Sequence, residues 1–203
     1  MGVRFENIIF DIGMVLVDFC YKEYMESLGF SKETIAQLEE GMILSPLWNE
    51  MDRGEYTEEE LILRFKERLT KHHKEIDCFF ENPVGLIKTF PDSAQWLTEL
   101  KERNYSIYLL SNYPEREFKM HSEQFDFLPY VDGKIISYEV KMTKPDVRIY
   151  KALLEKYGLQ ARECIFLDDK PSNIKAAESL GIKGLVVTSQ EQARVELNHM
   201  LEE

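Results

Sequence analysis

The chain has 203 residues, 44% of them hydrophobic and 31% charged, with a formal net charge of −12. That balance supports a buried core and excludes an extended disordered chain, and the acidity disfavours nucleic acid, since nothing offsets repulsion from a phosphate backbone. No apolar run reaches the length of a membrane span, no signal-peptide pattern opens the chain, and Cys20, Cys78 and Cys164 share no CxxC spacing, so free thiols in a cytoplasmic setting are expected.

The segment from Asn7 to Val17 is almost wholly apolar and β-prone, and Asp11 breaks it. A carboxylate in such a run is costly unless it is paired, bound to a metal or exposed at a strand end. Alone, Asp11 with Gly13 reads as a tight turn. Asp18 reads first as a solvated acid at the entrance to the segment that follows, with a hinge position from which it could act as a substitute acid as the alternative. From about Tyr21 to Lys88 the pattern is helical: Lys32 to Met42 follows a Ser31 cap, and Glu58 to Leu69 follows Thr57. Thr57 with Glu60 matches a capping box, and Leu61, Phe65 and Leu69 repeat at helical spacing. Trp48, Asp52, Arg53, Glu55 and Tyr56 cluster at a turn before this helix and could contact a ligand, although Trp48 and Tyr56 in a small helical insert read first as packing residues. His72 and His73 are adjacent, so they do not share a helix face, and a solvated helix end is expected there.

The second half alternates strands and helices. Pro91-Asp92 opens an amphipathic helix, Ser106 to Ser111 is a strand, Pro114 begins a helix, and Gly133 to Ser137 is a short strand. Lys144-Pro145 is expected to start a helix with proline at its first position. Cys164 to Leu167 is a strand ending in Asp168-Asp169, Asn173 to Leu180 a helix stopped by Gly181, and Leu185 to Val187 a last strand. Arg116 and Arg148 are expected on helix surfaces. The rhythm predicts an α/β fold: a Rossmann-like parallel sheet with helices on both faces, plus an inserted α-helical cap. The expected boundaries are 1–17 and 89–203 for the α/β core and 18–88 for the helical cap.

In an open α/β sheet, ligands bind beyond the carboxyl ends of the strands. Asp11, Ser111-Asn112 and Asp168-Asp169 all follow strands, and Lys144 precedes a helix. Each alone is an ordinary turn or cap residue. Together they suit phosphoryl transfer. A carboxylate can act as nucleophile, forming an acyl-phosphate that water hydrolyses. A divalent cation and a lysine must neutralise the repulsion between anion and phosphate. Asp11 with the Asp168-Asp169 pair offers hard oxygen ligands suited to Mg²⁺, Ser111 a hydroxyl, and Lys144 a compact positive charge.

The segments Phe10-Asp11-Ile12-Gly13-Met14-Val15, Leu110-Ser111-Asn112, Lys144-Pro145-Asp146 and Phe166-Leu167-Asp168-Asp169, with Asn173 four residues on, resemble the four motifs of the haloacid dehalogenase superfamily. The helical insert resembles its C1-type cap. The resemblance implies Asp11 as nucleophile and Ser111 and Lys144 as phosphate binders, with Asn112 as a secondary substrate contact. It implies that Asp11, the backbone carbonyl of Gly13 and Asp169 hold Mg²⁺, with Asp168 acting through a water or as a further ligand and Asn173 orienting the acidic loop.

One departure bears on the chemistry. The usual phosphatase pattern is Asp-x-Asp, whose second carboxylate protonates the leaving oxygen and later activates water; here that position is Gly13. Loss of a general acid typically costs about 10²–10⁴-fold. The pattern Asp-x-Gly-x-Val-x-Val-Asp resembles a branch that includes sugar-phosphate phosphatases, glucose-1-phosphate phosphatase among them. An anomeric leaving group depends less on acid assistance, so the expected activity is Mg²⁺-dependent hydrolysis of a small phosphorylated metabolite, a sugar phosphate first. The alternative is a non-catalytic relative that binds a phosphorylated ligand or a protein. A phosphomutase is disfavoured by Gly13, and a 2-haloacid dehalogenase by the paired acids.

Overall fold

The computed structural model describes residues 4–202; residues 1–3 and 203, included in the expected core, lie outside the described residues. Strand β1 (Asn7–Phe10) is buried throughout. Its side chains alternate: Ile8 and Phe10 join one core cluster and Ile9 the other, the period of two that a strand covered on both faces requires. After β1 the chain turns through Asp11 to Leu16 and enters β2 (Val17–Phe19). In this turn Met14 adopts a left-handed φ of 59°, a conformation that costs a non-glycine residue about 1–2 kcal/mol. Four backbone bonds hold it, among them Met14 N–H to the Val17 carbonyl at 2.7 Å and Leu16 N–H to the Ile12 carbonyl at 2.9 Å.

Five helices follow: α1 (Tyr21–Ser27), α2 (Lys32–Leu38), α3 (Pro46–Arg53), α4 (Glu58–Arg68) and α5 (His73–Glu81). Ser31 caps α2 by accepting the Thr34 N–H, although α2 ends at Leu38 and the last turn to Ile43 widens into a π-helix. The expected capping box at α4 forms, with Thr57 accepting the Glu60 N–H at 3.2 Å and the Glu60 carboxylate accepting the Thr57 N–H at 2.8 Å. The helices pack around an aromatic cluster in which Trp48 meets both Phe79 and Phe80. The segment is not helical to its ends, as the pattern suggested. Strand β3 (Ile87–Thr89) pairs antiparallel with β2, placing Val17 opposite Thr89 and Asp18 opposite Lys88. Strands of three residues leave no period to read.

The remaining elements are α6 (Ser93–Glu102), β4 (Ser106–Ser111), α7 (Glu115–His121), β5 (Gly133–Ile136), α8 (Ser137–Val140), α9 (Val147–Tyr157), β6 (Cys164–Asp168), α10 (Pro171–Glu178), β7 (Lys183–Val186) and α11 (Gln190–Glu202). The parallel sheet has the order β5-β4-β1-β6-β7, so β1 lies at its centre. One face packs on α6 and α11 through Trp96, Leu97, Leu100, Ala193 and Leu197. The other packs on α9 and α10 through Ile149, Tyr150, Leu153, Ile174 and Ala177. Each large apolar side chain buried there contributes about 1.5–3 kcal/mol of transfer free energy.

Helix α9 starts later than expected. Lys144-Pro145 is a cis peptide that precedes the helix, and Asp146 is the N-cap, its side chain accepting the Arg148 N–H at 2.9 Å. That cap fixes the first helical residue at Val147. No helix among the described residues is long and apolar enough to cross a membrane.

Candidate active site

The topology brings the ends of β1, β4 and β6 side by side, and Asp11, Ser111 and Asp168 stand at those ends. Asp11 is held from two directions. Its N–H donates to the Leu167 carbonyl at 2.9 Å, and its Oδ1 accepts the Ile12 N–H at 2.8 Å. Lys144 Nζ lies 2.9 Å from the same Oδ1 and 2.6 Å from Asp168 Oδ2, so one buried ammonium joins two buried carboxylates. Burial pushes the Asp11 carboxyl up to about 6, with Lys144 opposing and Asp168 reinforcing. For Lys144 burial acts in the opposite sense, but the facing Asp11 and Asp168 carboxylates hold the ammonium above its ordinary range.

Asp168 is saturated by the protein. Its Oδ1 accepts from Lys170 N–H at 2.8 Å and Asn173 Nδ2 at 2.9 Å, and its Oδ2 accepts from Lys144 and from Asn173 at 3.0 Å. Asn173 is in turn fixed by Tyr150, whose hydroxyl donates to the Asn173 carbonyl at 2.9 Å. Asp169 is half-buried and lines the cavity beside Asp11 and Gly13; burial first, then neighbouring Asp168, raises its carboxyl above the usual range. Asn112 also lines the cavity, but its amide is spent on the backbone of Lys144. It donates to the Lys144 carbonyl at 3.0 Å and accepts the Lys144 N–H at 2.8 Å, a two-point clamp that sets where the lysine sits.

Oxygen atoms of Asp11, Asp168 and Asp169 all lie within 4.8 Å of one another. Lys144 pairs with two of the three carboxylates and Lys170 acts on Asp169, and oxygen-only donors at this spacing fit a hard divalent cation that keeps several waters.

The cavity above these groups measures about 420 Å³, within the range of small-ligand sites. Its far wall comes from the helical segment and the β2–β3 pair: Phe19, Tyr21, Ile43, Leu44, Trp48 and Leu86, with Asp52 on α3 the acid among them. Trp48 therefore packs, as expected, and also faces the site. Asp52, expected in a turn, lies in the last turn of α3 and is buried at the cavity wall. Its depth depends on how α3 docks, and only the alignment of Trp48 and Asp52 at helical spacing hints at it. Glu117, His121 and Lys170 line the cavity too and carry no motif. Asp18 does not line it. Arg116 departs from its expected surface role: it bridges α7 to the helical segment through Glu58 at 2.7 Å and the Phe80 and Glu81 carbonyls at 2.6 and 3.0 Å. Arg148 stays at the surface, paired with Asp146.

A family model for haloacid dehalogenase-like hydrolases matches residues 7–181. The chain belongs to the haloacid dehalogenase-like hydrolase family. This hydrolase is 27% identical over 202 residues, 99% of each chain, to a sesquiterpene phosphatase of Aspergillus oryzae. It is 29% identical over 119 residues to a phosphorylated carbohydrates phosphatase of Thermotoga maritima, covering 59% of this chain and 52% of that protein. Among solved structures it resembles a HAD family enzyme of Bacteroides thetaiotaomicron in complex with magnesium and inorganic phosphate, with a TM-score of 0.72, 27% identity, and coverage of 91% of this chain and 95% of that one.

Proposed function

We propose that this hydrolase is a Mg²⁺-dependent phosphomonoesterase that works through an aspartyl-phosphate on Asp11. The observation that carries the reading is the Asp11–Lys144–Asp168 arrangement at three adjoining strand ends, with Asp169 at the cavity. Asp11 and Asp169 would hold Mg²⁺ together with the Gly13 carbonyl, while Asp168, whose oxygens are filled by Lys144, Lys170 and Asn173, acts on it at one remove. When bound, the ion neutralises charge on the phosphate and on Asp11. Ser111 and Lys144 bind phosphate oxygens. The helical segment closes over the substrate and excludes water. A phospholigand binder that performs no chemistry is disfavoured by the retention of Asp11, because a carboxylate facing a phosphate weakens binding.

Two features bear on the alcohol that leaves. Gly13 favours a good leaving group such as a sugar 1-phosphate. The cavity wall favours the opposite class, because Phe19, Ile43, Leu44, Trp48 and Leu86 make its far side mainly apolar and the Tyr21 and Ser45 hydroxyls donate within the protein, leaving Asn49, Asp52 and the Trp48 indole N–H as its polar contacts. We therefore place a phosphate ester of an apolar alcohol ahead of a sugar phosphate. The named activity of the Aspergillus oryzae relative supports the first and that of the Thermotoga maritima relative the second. The free thiols of Cys20, Cys78 and Cys164 support a cytoplasmic setting.

Phosphate release from prenyl, alkyl and sugar phosphates, with Mg²⁺ and after chelation, tests the reading. Metal-dependent release with the highest kcat/KM on apolar esters is expected. Thermal stabilisation by the esters without release overturns the enzyme reading, and preference for sugars overturns the apolar assignment. Leu44, 70% exposed at the cavity mouth, allows a second check that leaves the core intact. Leu44→Ser is expected to raise KM for a prenyl phosphate about five- to tenfold, a loss of about 1 kcal/mol of apolar contact, with little change for sugar phosphates.

A further inference from the structure

The geometry points to Asp52 as the proton donor and acceptor that replaces the side chain absent at Gly13; the inference rests on the phosphomonoesterase reading above. A Cβ added at Gly13 meets nothing within 4 Å, so the place of the usual acid is open space beside Asp11. Across the cavity, Asp52 is 9% exposed and lines the same space. Its carboxylate has no hydrogen bond or ion pair among the described residues. The residue is buried but its unpaired carboxylate oxygens open onto the cavity, where the substrate would sit.

Its placement is fixed by the core. The Asp52 carbonyl accepts from the Ser137 hydroxyl, and the same Ser137 oxygen accepts the Tyr113 N–H at 2.9 Å. Tyr113 directly follows Ser111-Asn112, so the end of α3 is tied to the loop expected to hold phosphate. One residue beyond α3, Gly54 takes φ 67° to end the helix, and its carbonyl accepts from Lys141 Nζ.

The charges acting most strongly on Asp52 are Lys170 before α10, Glu117 on α7, Asp11 after β1 and Lys144 before α9; none comes from α4 or α8, the helices packed against α3. Burial is the largest influence, and with Glu117 and Asp11 it outweighs the two lysines, pushing the carboxyl up to about 7. Such an acid can both give and take a proton near neutrality. Two rivals fit less well. His121 uses both ring nitrogens, with Tyr113 Oη at 2.7 Å and the Pro83 carbonyl at 2.7 Å. Glu117 shares the cavity and is also pushed up to about 7, chiefly by burial, but the charges acting on it are Glu58 and Arg116, whereas Asp11 and Lys144 act on Asp52.

The reaction balances with one proton. An Asp11 carboxylate oxygen bonds to phosphorus as the bond from phosphorus to the ester oxygen breaks, and the Asp52 carboxyl proton passes to that oxygen, releasing the alcohol. Water then attacks the aspartyl-phosphate, its proton returning to Asp52, while the phosphorus–Asp11 bond breaks and releases phosphate.

The test compares n-octyl phosphate, whose alkoxide needs a proton to leave, with p-nitrophenyl phosphate, whose phenolate does not. For Asp52→Asn, kcat/KM is expected to fall about 10²–10⁴-fold on the octyl ester and less than about tenfold on the aryl ester. Adding Gly13→Asp to Asp52→Asn is expected to recover at least tenfold on the octyl ester. In the unaltered protein, kcat/KM for the octyl ester should decline as pH rises past neutrality, with no such decline for the aryl ester. This last measurement stands even if the variant folds poorly. Equal losses on both esters, no loss on either, or the selective loss appearing in Glu117→Gln instead overturns the assignment. Turnover abolished by Asp11→Asn but indifferent to Asp52 sinks this inference alone. Absence of turnover in the unaltered protein sinks the phosphomonoesterase reading and the inference with it.

Discussion

Lys144→Met is expected to lose about 3–5 kcal/mol of folding stability near pH 8 and about 10³-fold or more in kcat/KM. The side chain is 1% exposed and makes ion pairs of 2.9 and 2.6 Å with Asp11 and Asp168. Methionine fills much of the same volume, so the loss measures charge and not a cavity. Removing one partner from a buried ionic cluster leaves the others uncompensated, which costs far more than the cluster contributes over an apolar replacement. The defect should shrink as pH falls, since Asp11, already raised to about 6 with the lysine present, is protonated more readily without it. Urea unfolding at pH 8 and pH 5 measures the difference. An unchanged midpoint at pH 8 would show that Lys144 is not the cation neutralising this cluster.

Asp11→Asn carries an effect of the opposite sign on stability. Activity is expected to fall about 10⁴-fold or more, because an amide cannot form the aspartyl-phosphate. Folding should improve. The folded-state carboxyl is raised from 3.8 to about 6, so the native chain holds this proton more tightly than the unfolded chain does. Its contribution to stability is full below pH 4 and is lost as pH rises through 6; above that, the charged carboxylate costs about 1–3 kcal/mol. The asparagine variant should therefore be more stable than the parent at pH 8 without metal, with the gain vanishing near pH 4. Denaturation at the two pH values, with phosphate release on the same samples, checks both halves. An asparagine variant that is less stable at pH 8, or that retains turnover, would remove Asp11 from the centre of the site.

These paired effects follow from the way the sheet collects its charges, and that much was legible in the sequence. Asp11, Ser111 and Asp168 are polar residues ending apolar strands, and a parallel sheet leaves such ends only one place to meet. Lys144 was visible because a lysine before a helix start, in that order along the chain, complements those acids. Other features depend on contacts no local pattern encodes. The start of α9 was misplaced because Asp146 competes successfully with Pro145 for the helix boundary. Asn112 carries the Ser-Asn signature of a turn, but its clamp on Lys144 spans 32 residues of sequence. Arg116 looks like any solvated helix residue until α4 and α5 fold against it. Asp52 is hidden for the same reason: an acid in a polar cluster before a helix start reads as an ordinary turn residue, and only the docking of α3 against α8 and α4 buries it.

The narrow β2–β3 pair gives this arrangement an evolutionary consequence. The chain leaves and re-enters through two strands lying side by side, Val17 against Thr89, so everything between them can be exchanged with little disturbance to the sheet. In most such exchanges a scaffold would keep its reaction and acquire a new substrate. Here the intervening segment brings both the apolar wall and Asp52, so a new segment arrives with its own answer to proton transfer or with none. Substrate choice and reaction rate are then inherited together, and a chain with glycine at position 13 can diversify only through segments that also supply an acid, or through substrates that do not need one.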